Sequence, residues 1–292
     1  MVRVFLVVVS CAAASTVSAQ APAPKASPAA SAAPQAAASP SPVPPPYVAS
    51  SPDPRRGSEL QKKAVGAHGG AAAIDAVQRL ELRGFSGRIT PGQDPIEMSS
   101  QTQMVIPGLY RHELVTQAGP IATLLNRDGA FVLLSGGAVP LPDAEAAALR
   151  ATANRNLMVL LRTRDPKEFR VARVGSARLP EGEVEMVEFE MSGQKTVLAI
   201  DPGTGLVRQA IYTMPMAGVA AQVVATYSDY RPLSNGVKYP FKSQGTVDGK
   251  PVFTSRLEKV VVNGAIDEKL FALPAPPPPP AEPLPSPSPP GR

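Results

Sequence analysis

Between residues 80 and 262, apolar side chains recur at every second position in short runs separated by turn formers. Ile96, Met98, Ser100, Thr102, Met104 and Ile106 share one side of such a run. Glu97, Ser99, Gln101 and Gln103 share the other, which is the pattern of a half-buried antiparallel strand. Similar runs extend from residues 80–89 to 251–262. Asn126-Arg127-Asp128-Gly129, Asp201-Pro202-Gly203-Thr204-Gly205 and Val247-Asp248-Gly249-Lys250 supply hairpin turns between them. Connections this short leave no room for a crossover helix, so the sheet must be antiparallel.

Two helical stretches interrupt the strands. Residues 58–80 open with Ser58 as a possible cap, pause at Gly69-Gly70 and resume. Residues 143–162 start at Asp143 as N-cap, and Ala146, Leu149, Ala153, Leu157 and Leu160 form one apolar stripe. The fold class is α+β: a curled antiparallel sheet, or incomplete β-barrel, of about eleven strands. An N-terminal helix and a mid-chain lid helix occupy its concave face.

The flanks differ in composition from this core. Of 35 prolines, eleven lie between Gln20 and Arg56 and eleven between Pro274 and Arg292. Residues 20–56 are rich in Ala, Pro and Ser and 274–292 in Pro, with too little apolar surface to offset the entropy of ordering. Both are expected to be disordered around one domain at 57–273. Residues 1–19 have the form of a secretion signal: Arg3, an apolar run from Val4, then Val17-Ser18-Ala19 as a cleavage site. That run is too short to span a bilayer, and the mature chain offers no other span. A periplasmic location is expected. Cys11 within Val8-Val9-Ser10-Cys11 offers the alternative of a lipid-anchored outer-membrane protein. The 29 Lys+Arg against 24 Asp+Glu put most of the positive excess in the flanks, which argues against a nucleic-acid face. One Cys and two His exclude metal sites of the usual spacings, and no metal or cofactor is expected.

Three short motifs carry a resemblance. Ala67-His68-Gly69-Gly70 with Ala73-Ile74-Asp75-Ala76-Val77, then Ala199-Ile200-Asp201-Pro202 with Gly205-Leu206-Val207, and finally Tyr227-Ser228-Asp229-Tyr230-Arg231 with Asn235-Gly236-Val237-Lys238-Tyr239-Pro240 stand in the order found in LolA/LolB-like periplasmic proteins, which the chain resembles. The resemblance implies an open antiparallel barrel with helices as a lid over an apolar cavity that takes lipoprotein acyl chains. It implies a non-catalytic carrier or chaperone whose partner is a lipid or acylated lipoprotein. A signalling or scaffold protein on the same fold, with an envelope protein partner, is the alternative. A monomer is expected.

The polar candidates point away from chemistry. His68 adjoins a helix break, where capping carbonyls is its common role. His112, between Arg111 and Glu113, is expected on a solvated face, and neither has a triad arrangement. Glu181, Glu183, Glu185, Glu188 and Glu190 change phase between Met186 and Val187, as a bulge would produce, and are expected on the wet side of a strand. Asp229 and Arg231 should form a surface ion pair, with Tyr230 on the other face. The expected cavity lining is Met98, Thr102 and Met104 from a strand, Leu149, Leu157 and Leu160 from the helix, and Tyr239 and Phe241 from late strands.

Overall fold

A computed structural model describes residues 47–90, 95–134, 137–162, 167, 169–216 and 219–274. The signal segment, Cys11, most of the proline-rich linker and nearly all of the tail lie outside the described residues.

The strands alternate as their sequence pattern requires, and all pair antiparallel with their neighbours. In chain order they are β1 (Val48–Asp53), β2 (Arg79–Arg88), β3 (Ile96–Val105), β4 (Leu109–Thr116), β5 (Gly119–Asn126), β6 (Gly129–Leu134) and β7 (Gly137–Pro140). They continue as β8 (Phe169–Leu179), β9 (Gly182–Met191), β10 (Gln194–Ile200), β11 (Val207–Met216), β12 (Val219–Pro232), β13 (Lys238–Val247) and β14 (Lys250–Val262). Together they form one fourteen-stranded sheet in the order β1-β8-β9-β10-β11-β12-β13-β14-β2-β3-β4-β5-β6-β7. Two meanders, β8 to β14 and β2 to β7, thus join through the β14–β2 pair, and the edges β1 and β7 do not meet. Leaving out β1 and β7, which follow no run of alternation, twelve strands remain against the about eleven expected.

The sheet curls around its helices. Phe169 of β8 and Ala130 of β6 belong to one buried core, although eleven strand steps separate β8 from β6. Laid flat, those steps would span about 50 Å, so a shared core requires the sheet to wrap. The helices filling the bowl are α1 (Pro54–Ala67), α2 (Ala71–Asp75), α3 (Asp143–Asn154) and α4 (Leu157–Arg162). Leu60, Ala64 and Val65 of α1 and Leu149, Leu157 and Leu160 of the mid-chain helices are all buried in that core.

Four local features correct the sequence expectations. First, α1 starts inside the segment assigned to a disordered linker. Asp53 is its cap, accepting from Arg56 N at 2.9 Å, and Pro54 takes the first turn, where its missing N–H costs nothing. Ser58 instead donates back to Pro54 O at 2.9 Å. Second, α2 ends at Asp75 because Asn263 takes over the next backbone groups. Its Oδ1 accepts from Gln78 N and Arg79 N, and its Nδ2 donates to Ala76 O. Third, the mid-chain helix is two helices. Asn156 Oδ1 accepts from Met158 N at 3.0 Å and restarts the chain as α4, while Asp143 makes no capping bond. Fourth, the bulge expected in the Glu-rich strand lies opposite it: Arg173 pairs with Val187 and Gly175 with Met186, leaving Val174 of β8 as the extra residue.

β9 is also buried on both faces rather than wet on one. Val187 and Phe189 join the inner core, while Val184 and Met186 join an outer cluster with Val174, Val197, Ala199 and Ile211. Tyr47 packs against that outer cluster. The glutamates flank it in ion pairs: Glu185 with Arg173 at 2.7 Å and Glu188 with Lys195 at 2.8 Å.

Candidate functional site

The three motifs of the sequence converge on one structural joint. His68 ends α1, donates from Nδ1 to Lys238 O at 2.9 Å, and accepts at Nε2 from Val207 N at 3.4 Å. Tyr230 sets its ring edge against the His68 ring, with centroids 5.3 Å apart, and donates its hydroxyl to Val207 O. Gly69, at φ +115°, lies so close to the β12–β13 turn that a Cβ there would meet Gly236 O at 2.6 Å. Gly205 presses equally close on α1 at Lys63 O and Ala67. His68 is fully buried, and burial lowers its pKa, so it stays neutral with both ring nitrogens bonded. This His is a fastener between helix and sheet. Asp229 and Arg231 pair at 2.7 Å, as expected of an exposed bridge.

A cavity opens farther along the same concave face, where the helices stop short of the sheet. It has two adjoining lobes of about 270 and 230 Å³. The larger lies over β2, β3, β4, β13 and β14, and its apolar wall includes Leu82, Met98, Leu114, Phe241, Phe253 and Leu257. The smaller lies under the α3–α4 break, against Arg155, Asn156, Leu157, Tyr212 and Met214. Thr102, Tyr110, Tyr227 and Tyr239 line both and form the neck between them. Gly245 gives the Phe253 ring of that wall its place: a side chain there would collide with the ring, its Cβ 1.9 Å from the nearest ring carbon.

Of the eight residues expected at the lining, Met98, Thr102, Leu157, Tyr239 and Phe241 lie on the cavity wall. Met104, Leu149 and Leu160 do not. Each is at most 3 % exposed within the core. Met104 shares the inward face of β3 with Thr102 but pairs with Leu80, nearer the end of the strand where the core is filled.

His112 corrects another expectation. It is only 7 % exposed, because period two turns Arg111 and Glu113 to the far face and His112 inward with Tyr110 and Leu114. It stands across the β3–β4 ladder from Thr102, with Nδ1 2.8 Å from Thr102 Oγ1. His112 Nε2, the other ring nitrogen, is buried and has no partner. Burial drives the His112 pKa down to about 4, so the ring is neutral near pH 7.

Arg155 is the charged group of the smaller lobe. It follows α3, donates to Thr152 Oγ1 at 2.8 Å and lies over the Tyr212 ring at 4.2 Å. Its side chain is mostly buried, and desolvation lowers its pKa. Asn156 Nδ2 donates to Tyr239 Oη at 3.3 Å, tying the helix break to β13, and burial pushes the Tyr239 hydroxyl up to about 12. Neither His112 nor Arg155 was singled out from the sequence as a cavity group. The alternation Tyr110, His112, Leu114 carried the signal for His112; nothing local in the sequence marks Arg155.

Comparison with solved structures settles the architecture. A LolA superfamily protein from Nitrosomonas europaea superposes with a TM-score of 0.50 at 10% identity, over 74% of this chain and 96% of that one. The fold is LolA-like. A domain assigned to outer membrane lipoprotein-sorting proteins, from Vibrio parahaemolyticus, aligns with a TM-score of 0.49 at 10% identity, over 75% of this chain and 97% of that one. A DUF1329 family protein from Desulfovibrio piger gives 0.45 at 11% identity, over 75% and 97%. No family model and no curated protein matches the sequence. Among the described residues no helix is long and apolar enough to cross a membrane, and no group of His, Cys, Asp or Glu could hold a metal.

Proposed function

We propose that this protein is a periplasmic carrier that shelters the acyl chain of a lipid or of an acylated lipoprotein and performs no reaction on it. The observation that carries the reading is the two-lobed cavity on the concave face of a LolA-like sheet, walled by apolar side chains and left unfilled by the core. Each buried CH₂ of a chain there would contribute about 0.8 kcal/mol. The helices over the smaller lobe are jointed, since α3 and α4 meet at Arg155-Asn156 and not in a continuous helix, and a shift at that joint would widen the way in.

The test is titration of the mature protein with a fluorescent fatty acid, alongside Leu82→Trp. Leu82 faces both lobes and is only partly buried, so an indole there fills the cavity without displacing the core. Saturable binding that falls at least about tenfold in Leu82→Trp is expected. Equal binding by both proteins would place the acyl chain elsewhere and remove the basis of the proposal.

A further inference from the structure

The walls of the cavity are unbalanced in charge. Arg88, Lys242 and Arg155 are among the lining residues of the two lobes, and no carboxylate is. Arg88 and Lys242 belong to the larger lobe, and Lys242 is exposed, so water can solvate it. Arg155 is different. It sits inside the smaller lobe, mostly out of water, with a threonine hydroxyl and the face of Tyr212 as its company and no carboxylate in ion-pair contact among the described residues. A cation so placed gives up hydration without gaining a counter-charge. Its guanidinium has five donors, and one bond to Thr152 leaves donors to spare.

The neck adds uncharged groups that can donate: the hydroxyls of Thr102, Tyr110, Tyr227 and Tyr239 line both lobes, and His112 Nε2 is buried at the larger lobe without a partner. The cavity therefore offers apolar wall at one end, donors at the neck and an unneutralised cation at the other end. Its complement is apolar at one end and rich in acceptor oxygens, with negative charge, at the other.

We infer that the ligand is an anionic amphiphile, its chain lying in the larger lobe and its oxyanion head, a carboxylate or a phosphate diester, received by Arg155 in the smaller one. This rests on the carrier reading and narrows it. An acylated peptide without a negative group at the chain's head fits less well than a free fatty acid or a phospholipid. Arg88 and Lys242 add a positive field that steers such a head to the cavity and that salt screens.

The experiment compares three probes of equal chain length on the mature protein: palmitate, lyso-phosphatidylglycerol and the neutral monopalmitoylglycerol. Each is titrated below its micelle concentration against wild type, Arg155→Gln and Arg155→Lys. At least one anionic probe is expected to bind about tenfold or more tightly than the neutral one. Which of the two does so identifies carboxylate or phosphate as the head group. Arg155→Gln should erase that preference, costing the anionic probe at least about tenfold more than the neutral one, and a thermal melt close to that of wild type shows that the variant is folded. Arg155→Lys should keep part of it. Equal affinity of all three probes for wild type, or an Arg155→Gln effect equal on anionic and neutral probes, would overturn the inference and leave the carrier reading standing. Failure of wild type to bind any of the three would overturn the carrier reading and this one with it.

Discussion

Lowering the pH from 7 to 4.5 should destabilise the ligand-free protein by about 2.5 kcal/mol through His112 alone. The imidazole has an ordinary pKa of 6.5 in the unfolded chain and about 4 in the folded one, because its ring is buried between β3 and β4 beside Thr102. Between those two values the unfolded state binds a proton that the folded state refuses. Stability is therefore full above 6.5 and declines as the pH falls toward 4, by about 1.4 kcal/mol per unit. For a domain of this size that loss lowers the melting temperature by roughly 5–10 °C. His68, also buried with a lowered pKa, acts in the same direction, so the comparison must be between proteins that differ only at 112. His112→Asn keeps an acceptor for the Thr102 hydroxyl and cannot titrate. Thermal melts of both proteins at pH 7, 5.5 and 4.5 should show the gap between wild type and variant shifting in the variant's favour by the stated amount. Asp201, whose carboxylate is held low chiefly by its Arg208 partner and the turn amides against the cost of burial, loses its contribution only below this window. Melting curves that shift in parallel would refute the placement of a neutral, buried imidazole at 112.

Two further outcomes test the frame that holds the cavity. In Gly57→Ala the new Cβ would lie 2.6 Å from Ala172 Cα, forcing α1 off β8 at a cost of about 1–3 kcal/mol, whereas Gly66→Ala in the same helix meets nothing within 4 Å and should stabilise by up to about 1 kcal/mol; chemical denaturation of the pair checks both, and equal effects would contradict the α1–β8 contact. Removing residues 20–46 and 275–292 should leave the thermal midpoint within a few degrees, but extending the first deletion through Asp53 strips β1 from β8 and uncaps α1, and should lower it by roughly 5 °C or more.

Most of the sheet was legible because alternation and turn chemistry are local. Asn126 to Gly129 shows how: Asn126 Oδ1 takes the amides of Asp128 and Gly129, which is the turn those residues encode. The edges were not legible. β1 is exposed at every position and contains a proline, so it has no apolar alternation to read, and only its backbone pairing to β8 makes it a strand. The apolar stripe from Ala146 to Leu160 was correct as a buried face, but the break within it depends on Asn156 bonding both the α4 amide and Tyr239, a contact 83 residues away in sequence. The cavity shows the same division. Residues facing inward could be named from period two. How far along each strand the core fills and the cavity begins depends on where the helices stop, which placed Thr102 on the wall and Met104 beneath it. The motifs that carried the family resemblance lie at the helix–sheet joint around His68, which is why they revealed the fold and not the ligand.

The central claim is that the cavity is a container for an acyl chain. Native mass spectrometry of protein purified without detergent from the cells that make it, followed by organic extraction, tests it most directly. Wild type should carry a co-purifying acyl lipid that Leu82→Trp lacks. Wild type that arrives empty and stays empty when offered palmitate, lyso-phosphatidylglycerol and monopalmitoylglycerol would contradict the account.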